Sequence, residues 1–345
     1  MTKDVKQNDF IFGFDYLRIL LCIGVIALHS NIFSVANQYI GTALDNPLYY
    51  RVLLYNFFWV CVPVFMTISL FLYVRKSYND KNYFKKRVKQ LVITYLFWAI
   101  IELVLNNHGN ISFIKDLDFK SLFFLFISNG TIAYFLFNLL YMTIFTEIII
   151  KIYKKYNCKI LYIILFILSL ISMFFSIYCI NKIGFSLEFA ERLSFSNPLL
   201  FIPYSFSALF LYHVQKNKDN NIYKKAMIAA FVIWILLGLV DWVIRGYNFD
   251  FIKYNYESLG RPSLVFESIF LVLLFSLIKK KPNRIISKLS NLTMGVFLIH
   301  TIVLNYLGVN LLNLGLNLNG FWIFIVTTLI SFLITYVIKK FKFLM

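Results

Sequence analysis

Charged residues are scarce in this chain. Only 14% of the 345 residues carry a charge, whereas 60% are hydrophobic and 19% are aromatic. A soluble domain needs a larger charged surface, so the composition excludes one and indicates a polytopic membrane protein. Loops are short, and no soluble domain, flexible linker or internal repeat is recognisable. The sequence therefore predicts a single membrane domain over residues 1–345.

Cysteine is also rare, and its spacing excludes the usual cysteine sites. The four cysteines are scattered without CxxC or metal-ligand spacing, so neither a disulfide framework nor a zinc site is indicated. We expect no metal and no tightly bound cofactor. The first apolar segment is too long for a signal-peptide core and lacks a small-residue cleavage pattern, which predicts a retained first span.

Apolar runs of about 20 residues, the length that crosses a bilayer, recur along the chain. They predict an all-α bundle of about ten transmembrane helices. The fourth run is interrupted at Ser128-Asn129-Gly130, which indicates a re-entrant or interfacial piece before a full span. The predicted spans are 11–34, 52–74, 91–106, 122–150, 160–180, 198–214, 226–244, 262–278, 289–307 and 320–338.

Positive charge is unevenly placed between these runs. The net charge is +18, and its lysines and arginines cluster after the second, fourth, sixth and eighth runs and near both ends of the chain. Positive residues concentrate in cytoplasmic loops, so the pattern predicts an even number of spans with both termini cytoplasmic. This explains the charge without a nucleic-acid partner. Abundant Lys, Asn and Ile suggest an AT-rich bacterial genome and hence a multi-pass protein of the cytoplasmic membrane.

The first run contains two ionisable residues on one helical stripe. Arg18 and His29 are eleven positions apart, which returns to within about 20° of the starting direction and places the histidine about 16 Å deeper. Asp15 falls close to the same stripe. Charged groups inside hydrocarbon are costly, so the stripe is a functional-site candidate. The alternative is that Arg18 snorkels to the headgroups and His29 lies at the far interface.

A second histidine is predicted deep in the bundle. His300 lies about eleven residues from the cytoplasmic end of the ninth run, near mid-bilayer, whereas His29 belongs to the outer half. Two histidines buried in different helices are placed to share a cavity. The alternative for His300 is a hydrogen-bonded packing role, since buried polar groups need partners in any case.

Several motifs resemble those of one family in the right order. The segment GFDYLRILLCIGVIALHS, with ten residues between its arginine and its histidine, is similar to the first helix of the membrane acyltransferase-3 family. The resemblance covers essentially the whole chain. The other segments that carry it are Asn56–Val74, Asn82–Trp98, Ile132–Phe145 and Lys288–Leu304.

The resemblance implies transfer of an acyl group, commonly acetyl, from cytoplasmic acyl-CoA to a hydroxyl of a cell-surface or lipid-linked glycan. Such a protein modifies polysaccharides of the cell envelope, with acyl-CoA as co-substrate and no nucleic acid as partner. A sugar hydroxyl needs a base with a pKa near the working pH, so His29 is predicted as that base. Arg18 is predicted to bind an anionic part of the donor or to stabilise developing negative charge.

A basic loop follows the second run, where a polyanionic coenzyme would arrive. Arg75, Lys86, Arg87 and Lys89 are candidate donor-binding residues, although ordinary positive-inside charge explains each lysine equally well. Arg87 differs because it occupies the position of the family's motif. Asp15, His300 and Glu102 are supporting candidates. Glu102 is predicted to line an outer vestibule or to be a solvated carboxylate at the end of a span.

Two departures from the family pattern keep an inactive relative among the alternatives. Leu70 stands where glycine is usual, and Gln90 stands where the resemblance implies a second arginine. If both arginines normally hold the donor, Lys86 or Lys89 must substitute for the missing one.

A transporter or flippase for a glycan or an acylated intermediate is the alternative from another class. Ten spans, polar intramembrane residues and the lack of a soluble catalytic domain favour it. The sequence shows neither the inverted repeat nor the paired broken helices that transporters often have. The two readings differ at His29, because acyl transfer requires a base there and bare transport does not.

Overall fold

The computed structural model describes residues 11–30, 32, 57–80, 82–106, 133–156, 159–182, 197–216, 221–244, 259–313 and 318–340. These residues are almost entirely helical and contain no strand. A short 3-10 turn, Pro198–Leu200, precedes the sixth helix. The α-helices are α1 Gly13–His29, α2 Cys61–Ser77, α3 Tyr83–Asn106, α4 Tyr134–Tyr156, α5 Lys159–Lys182, α6 Ile202–Lys216, α7 Asn221–Ile244, α8 Pro262–Ser276, α9 Arg284–Ser290, α10 Thr293–Asn313 and α11 Gly320–Ile338.

The helices follow the predicted apolar runs. Each run overlaps one helix, except the ninth, which corresponds to α9 and α10 bent by 59°. The third helix begins at Tyr83 rather than at 91, because lysine and arginine are good helix formers outside the apolar core. Residues 122–132, including the interruption at Ser128-Asn129-Gly130, lie outside the described residues.

Among the described residues, length and apolarity identify four helices that could cross a membrane, or five if the bent pair is one span. The four are in α3, α4, α7 and α11. α1 and α2 have 17 residues each, which is about 25 Å and somewhat short of a hydrocarbon core of about 30 Å. The helices therefore indicate a membrane protein. Ten spans and two cytoplasmic termini stay predictions.

The centre of the bundle is formed by α1 and α2. α2 packs against α1, α4, α6 and α8, and its Val64, Met66 and Leu70 are fully buried. The outer helices turn large apolar side chains outward, as Ile100 of α3 and Leu333 of α11 do with more than half of their surface exposed. An apolar outer surface suits lipid, whereas Asp15 and Cys22 of α1 are buried inside the bundle.

α1 and α10 run in the same direction and in register. The Cys22 thiol donates a hydrogen bond to the Thr293 carbonyl over 3.7 Å. Seven residues further along both helices, the rings of His29 and His300 lie 5.2 Å apart between centroids. Because the two contacts have the same spacing on each helix, the facing stripes stay aligned over two turns.

The start of α1 packs at the end of the bundle that we call the basic end. Asp15 contacts α9, the Phe275 carbonyl at the end of α8 lies against Gly13, and α9 adjoins the end of α11. The ends of α2 and α4 and the start of α3 meet through cation–ring contacts of Lys76, Lys151 and Lys154. The basic end thus includes lysines that follow the second, fourth and eighth apolar runs.

Candidate active site

His300 is fully buried and has one of its ring nitrogens fixed. Nδ1 lies 2.7 Å from the Phe297 carbonyl oxygen. A carbonyl only accepts hydrogen bonds, so Nδ1 carries the hydrogen and Nε2 of the neutral ring carries the lone pair. Nε2 is buried, and no hydrogen-bond partner for it occurs among the described residues. His300 therefore presents a hydrogen-bond acceptor that the described chain leaves unused.

His29 is the last residue of α1, and it is exposed. The prediction of a buried histidine is confirmed for His300, whereas the His29 side chain lies at the exposed end of α1. The depth of either ring in the membrane stays a prediction. The bend after α9 starts α10 at Thr293, which brings His300 level with His29.

A cluster of aromatic rings packs next to His300. The Phe297 ring lies 5.9 Å from the His300 ring, and it also contacts Phe65 of α2 at 5.9 Å and Phe135 of α4 at 4.9 Å. Phe297 of α10 thus connects α2 and α4 to the helix that carries His300. This packing restricts the rotamers of His300.

The acidic member of the α1 stripe is Asp15, which is 4% exposed. Its carboxylate accepts hydrogen bonds from the Ser290 hydroxyl at 2.7 Å and the Ser287 hydroxyl at 3.3 Å, which ties α9 to α1. Arg18, one turn further along, lies within electrostatic range of Asp15. The structure therefore brings Asp15 and Arg18 together, as the stripe predicts.

Arg87 of α3 converges on the same region. Its guanidinium donates to the Ser69 hydroxyl of α2 over 3.0 Å and lies within electrostatic range of Arg18. Two partly buried guanidinium groups from different helices repel each other, and an anion between them would relieve that repulsion. The arrangement suits a phosphate, which guanidinium binds with a fixed fork of donors.

The remaining basic candidates are arranged differently. Lys86 and Lys89 are exposed on α3, and so is Gln90. The Arg75 guanidinium lies 5.9 Å above the Phe71 ring near the end of α2. Arg87 thus differs from its neighbouring lysines by burial and by its link to Ser69.

Glu102 has a structural partner. It is 2% exposed, and its carboxylate accepts the backbone N–H of Ala133 over 3.0 Å. Ala133 immediately precedes α4, where free backbone N–H groups and the helix dipole favour a negative group. The predictions of an open vestibule or a solvated carboxylate are therefore wrong for Glu102, because the start of α4 takes up this carboxylate.

A groove of about 380 Å³ opens at the basic end beside α1. Two lysines and two isoleucines contribute to its wall, which combines positive charge with apolar surface. Its lining residues are Tyr16, Ile278, Lys280, Lys281, Asn283 and Ile286.

Several polar residues escaped the sequence analysis. Ser69, Ser287 and Ser290 hold the charged groups of the site. Glu147, a carboxylate recognisable in the sequence near the end of a span, accepts hydrogen bonds from Tyr73 at 2.5 Å and Ser77 at 2.8 Å. A serine in an apolar segment gives little signal, since most such hydroxyls bond to their own helix. Within the described ranges, no three His, Cys, Asp or Glu residues are grouped to hold a metal ion.

Comparison with known proteins assigns the chain to a family. The family model Acyl_transf_3, described as an acyltransferase domain, matches residues 11–340. Comparisons with curated proteins and with solved structures return no match. The matched region contains every residue of the site described above. The chain therefore belongs to the acyltransferase-3 family, and it is a membrane acyltransferase.

Proposed function

We propose that the protein is an O-acyltransferase that moves an acyl group, acetyl in the first instance, from acyl-CoA to a hydroxyl of a cell-surface or lipid-linked glycan. The observation that carries the proposal is the spacing of two sites along α1. Arg18, close to Arg87, lies eleven residues before His29, which is beside His300. This separation is about 16 Å along the helix.

Coenzyme A has two ends that fit these two sites. Its phosphates are anionic, whereas its thioester lies at the far end of the pantetheine arm. The arginines suit the phosphates, and the histidine suits the reacting end. The lysine-lined groove beside Tyr16 offers further positive charge for the nucleotide part. In the predicted topology the basic end is cytoplasmic, where acyl-CoA is available.

The reaction that we propose at His29 is a single acyl transfer. The imidazole takes the proton of the acceptor hydroxyl while the oxygen attacks the thioester carbonyl carbon. The carbon–sulfur bond then breaks, the acyl group stays on the oxygen, and the leaving thiolate takes the proton from His29. Placing both reactants in contact contributes to the rate by lowering the entropy cost of their encounter.

A second candidate function is movement of a glycan or an acylated intermediate across the membrane. The bent pair α9 and α10 favours it, because broken helices often line transport sites. Hydropathy did not predict this break, since the ninth apolar run is continuous. In the part of the chain that the structure describes, one such bent pair is found.

The test is to incubate membranes containing the protein with labelled acetyl-CoA and to follow the label into glycan and lipid-linked fractions. We expect transfer by the native chain and its loss in His29→Ala at equal expression. His213→Ala is the matched control, since the His213 ring packs against the rings of Tyr78, Tyr153 and its own neighbour Tyr212. Glycan movement without label transfer would contradict acyl transfer and favour the second candidate.

A further inference from the structure

The imidazole of His300 is oriented more firmly than that of His29. Its Nδ1–H donates to the Phe297 carbonyl, and the ring is fully buried above the Phe297 side chain. This geometry selects one tautomer, because the opposite tautomer would set a lone pair against the carbonyl oxygen. The remaining nitrogen, Nε2, is thus a fixed acceptor.

The imidazole of His29 lies beside that of His300. The centroids lie 5.2 Å apart with an angle of 50° between the planes. Two imidazoles that turn edge to edge at this separation bring their nearest nitrogens to about 3 Å, the distance of a hydrogen bond. The Cys22–Thr293 contact two turns earlier holds the two helices in register, so the rings stay at the same level.

We propose that His300 is the positioning residue of the acyl transfer: its Nε2 accepts the N–H of His29 and so leaves the other nitrogen of His29 unprotonated toward the acceptor hydroxyl. This inference rests on the proposed function. It concerns orientation, since His300 itself touches neither reactant.

Orienting His29 is a role for the buried Nε2 of His300, which is otherwise unused in the described chain. An exposed imidazole exchanges freely between its two tautomers and between several rotamers. A fixed acceptor on one side selects the tautomer that can act as a base on the other side. Pre-organising a catalytic group with a neighbour whose own rotamer is locked is a general requirement of active sites.

The proton balance of the reaction does not change. The acceptor proton enters His29 at the nitrogen facing the substrate, and the same nitrogen returns it to the departing thiolate. The His29 N–H that faces His300 stays on His29 throughout. The hydrogen bond between the rings strengthens while His29 is positively charged, because charge-assisted hydrogen bonds are the stronger ones.

Two amide side chains separate this role from plain packing. The carboxamide of glutamine reaches the position of imidazole Nε2 with an oxygen that accepts hydrogen bonds, whereas asparagine reaches only as far as Nδ1. His300→Gln should therefore keep the contact with His29, and His300→Asn should lose it. His300→Leu keeps the volume and removes the acceptor.

The experiment measures initial rates of acetyl transfer from acetyl-CoA at several donor concentrations in membranes with equal amounts of each variant. For His300→Asn and His300→Leu we expect kcat to fall about 10²-fold, the usual cost of a displaced catalytic group, with KM for acetyl-CoA within about twofold. For His300→Gln we expect kcat within about tenfold of the native value. His213→Asn and His213→Gln serve as controls and should not differ from each other.

The outcomes distinguish the inference from the function on which it rests. A native protein that transfers no label overturns the proposed function. Native transfer with equal kcat in the Gln and Asn variants, at equal melting temperatures, overturns the positioning role and leaves the function standing. A rise in KM without a fall in kcat would also overturn it, because that pattern marks a residue of the donor site.

Discussion

Two levels along α1, the Arg18 level at the basic end and the His29 level at the other end, differ in the hydrogen-bond partners of their polar groups. At the basic end, Asp15 accepts hydrogen bonds from two serines and Arg87 donates to Ser69. Eleven residues beyond Arg18, buried Nε2 of His300 has no partner among the described residues and faces an exposed histidine. The first level is built to hold charge in place, whereas the second keeps an acceptor free for groups that change during a reaction.

This difference separates binding from chemistry along one helix. Arginines always carry their charge, so they suit a permanent anionic handle on the donor. Histidine exchanges its proton near neutral pH and suits the step in which bonds change. Mutations at the two levels should therefore affect different kinetic constants.

The largest effect is expected from removing the base. His29→Ala should lower kcat for acetyl transfer about 10³-fold, within the range that general bases contribute, with little change in donor affinity. Initial rates at saturating acetyl-CoA measure this, with His213→Ala as the control. If His29→Ala raised KM and left kcat unchanged, the two levels would not divide binding from chemistry.

A smaller effect is expected at the arginine level. Arg18→Ala should raise KM for acetyl-CoA roughly 10- to 100-fold, because a hydrogen bond to a charged group contributes about 1.5–3 kcal/mol. Arg18→Lys should recover part of the loss, since it keeps the charge and loses the fork. The rate at saturation should stay near the native value. A fall in kcat with constant KM would instead assign Arg18 to the transition state.

The hydrogen-bonded cluster of Glu147, Tyr73 and Ser77 at the basic end is expected to contribute to stability and not to catalysis. Glu147→Ala removes the acceptor of Tyr73 and Ser77 and should destabilise the fold by about 1–3 kcal/mol. The thermal midpoint of the purified protein in detergent measures the loss, and transfer at low temperature should survive. Lys151→Ala is the control, because Lys151 is 71% exposed and lies 3.9 Å from Glu147. Equal midpoints for both variants would contradict a structural role of Glu147.

The smallest effects are expected at the exposed lysines of α3. Lys86→Ala and Lys89→Ala should each change KM for acetyl-CoA by less than about twofold, because exposed charges in high dielectric contribute little. Arg87→Ala, in the same helix, should change it by tenfold or more. Titration of acetyl-CoA against each variant makes the comparison. A lysine variant as weak as Arg87→Ala would show that a lysine replaces the arginine missing at Gln90.

Hydropathy located the helices except α9, which the ninth run merges with α10. The run 320–338 has the bounds of α11, and the other runs differ from their helices at the ends. The α1 stripe also follows from periodicity, because Arg18 and His29 share one helix. What joins different helices could not be found in this way. The contact between His29 and His300 depends on the register of α1 with α10 and on the bend before α10.

Glu102 shows the same limit from the other side. Its position in the sequence resembles that of a solvated carboxylate at the end of a span. In the structure its carboxylate instead accepts the backbone N–H that precedes α4. Ser290 is equally uninformative in the sequence and becomes the hydrogen-bond donor of Asp15. Both partners are set by tertiary packing, which a local pattern does not contain.

The fit of Gly13 against α8 determines how genetic variation in this protein should be read. A β-carbon at Gly13 would lie 1.7 Å from the Phe275 carbonyl oxygen, whereas one at Gly238 on α7 would meet nothing within 4 Å. A side chain at Gly13 would have to push α1 away from α8 and carry Arg18 and His29 with it. Loss-of-function alleles are therefore expected at a residue that touches no substrate, and natural variants at Gly238 are expected to be silent.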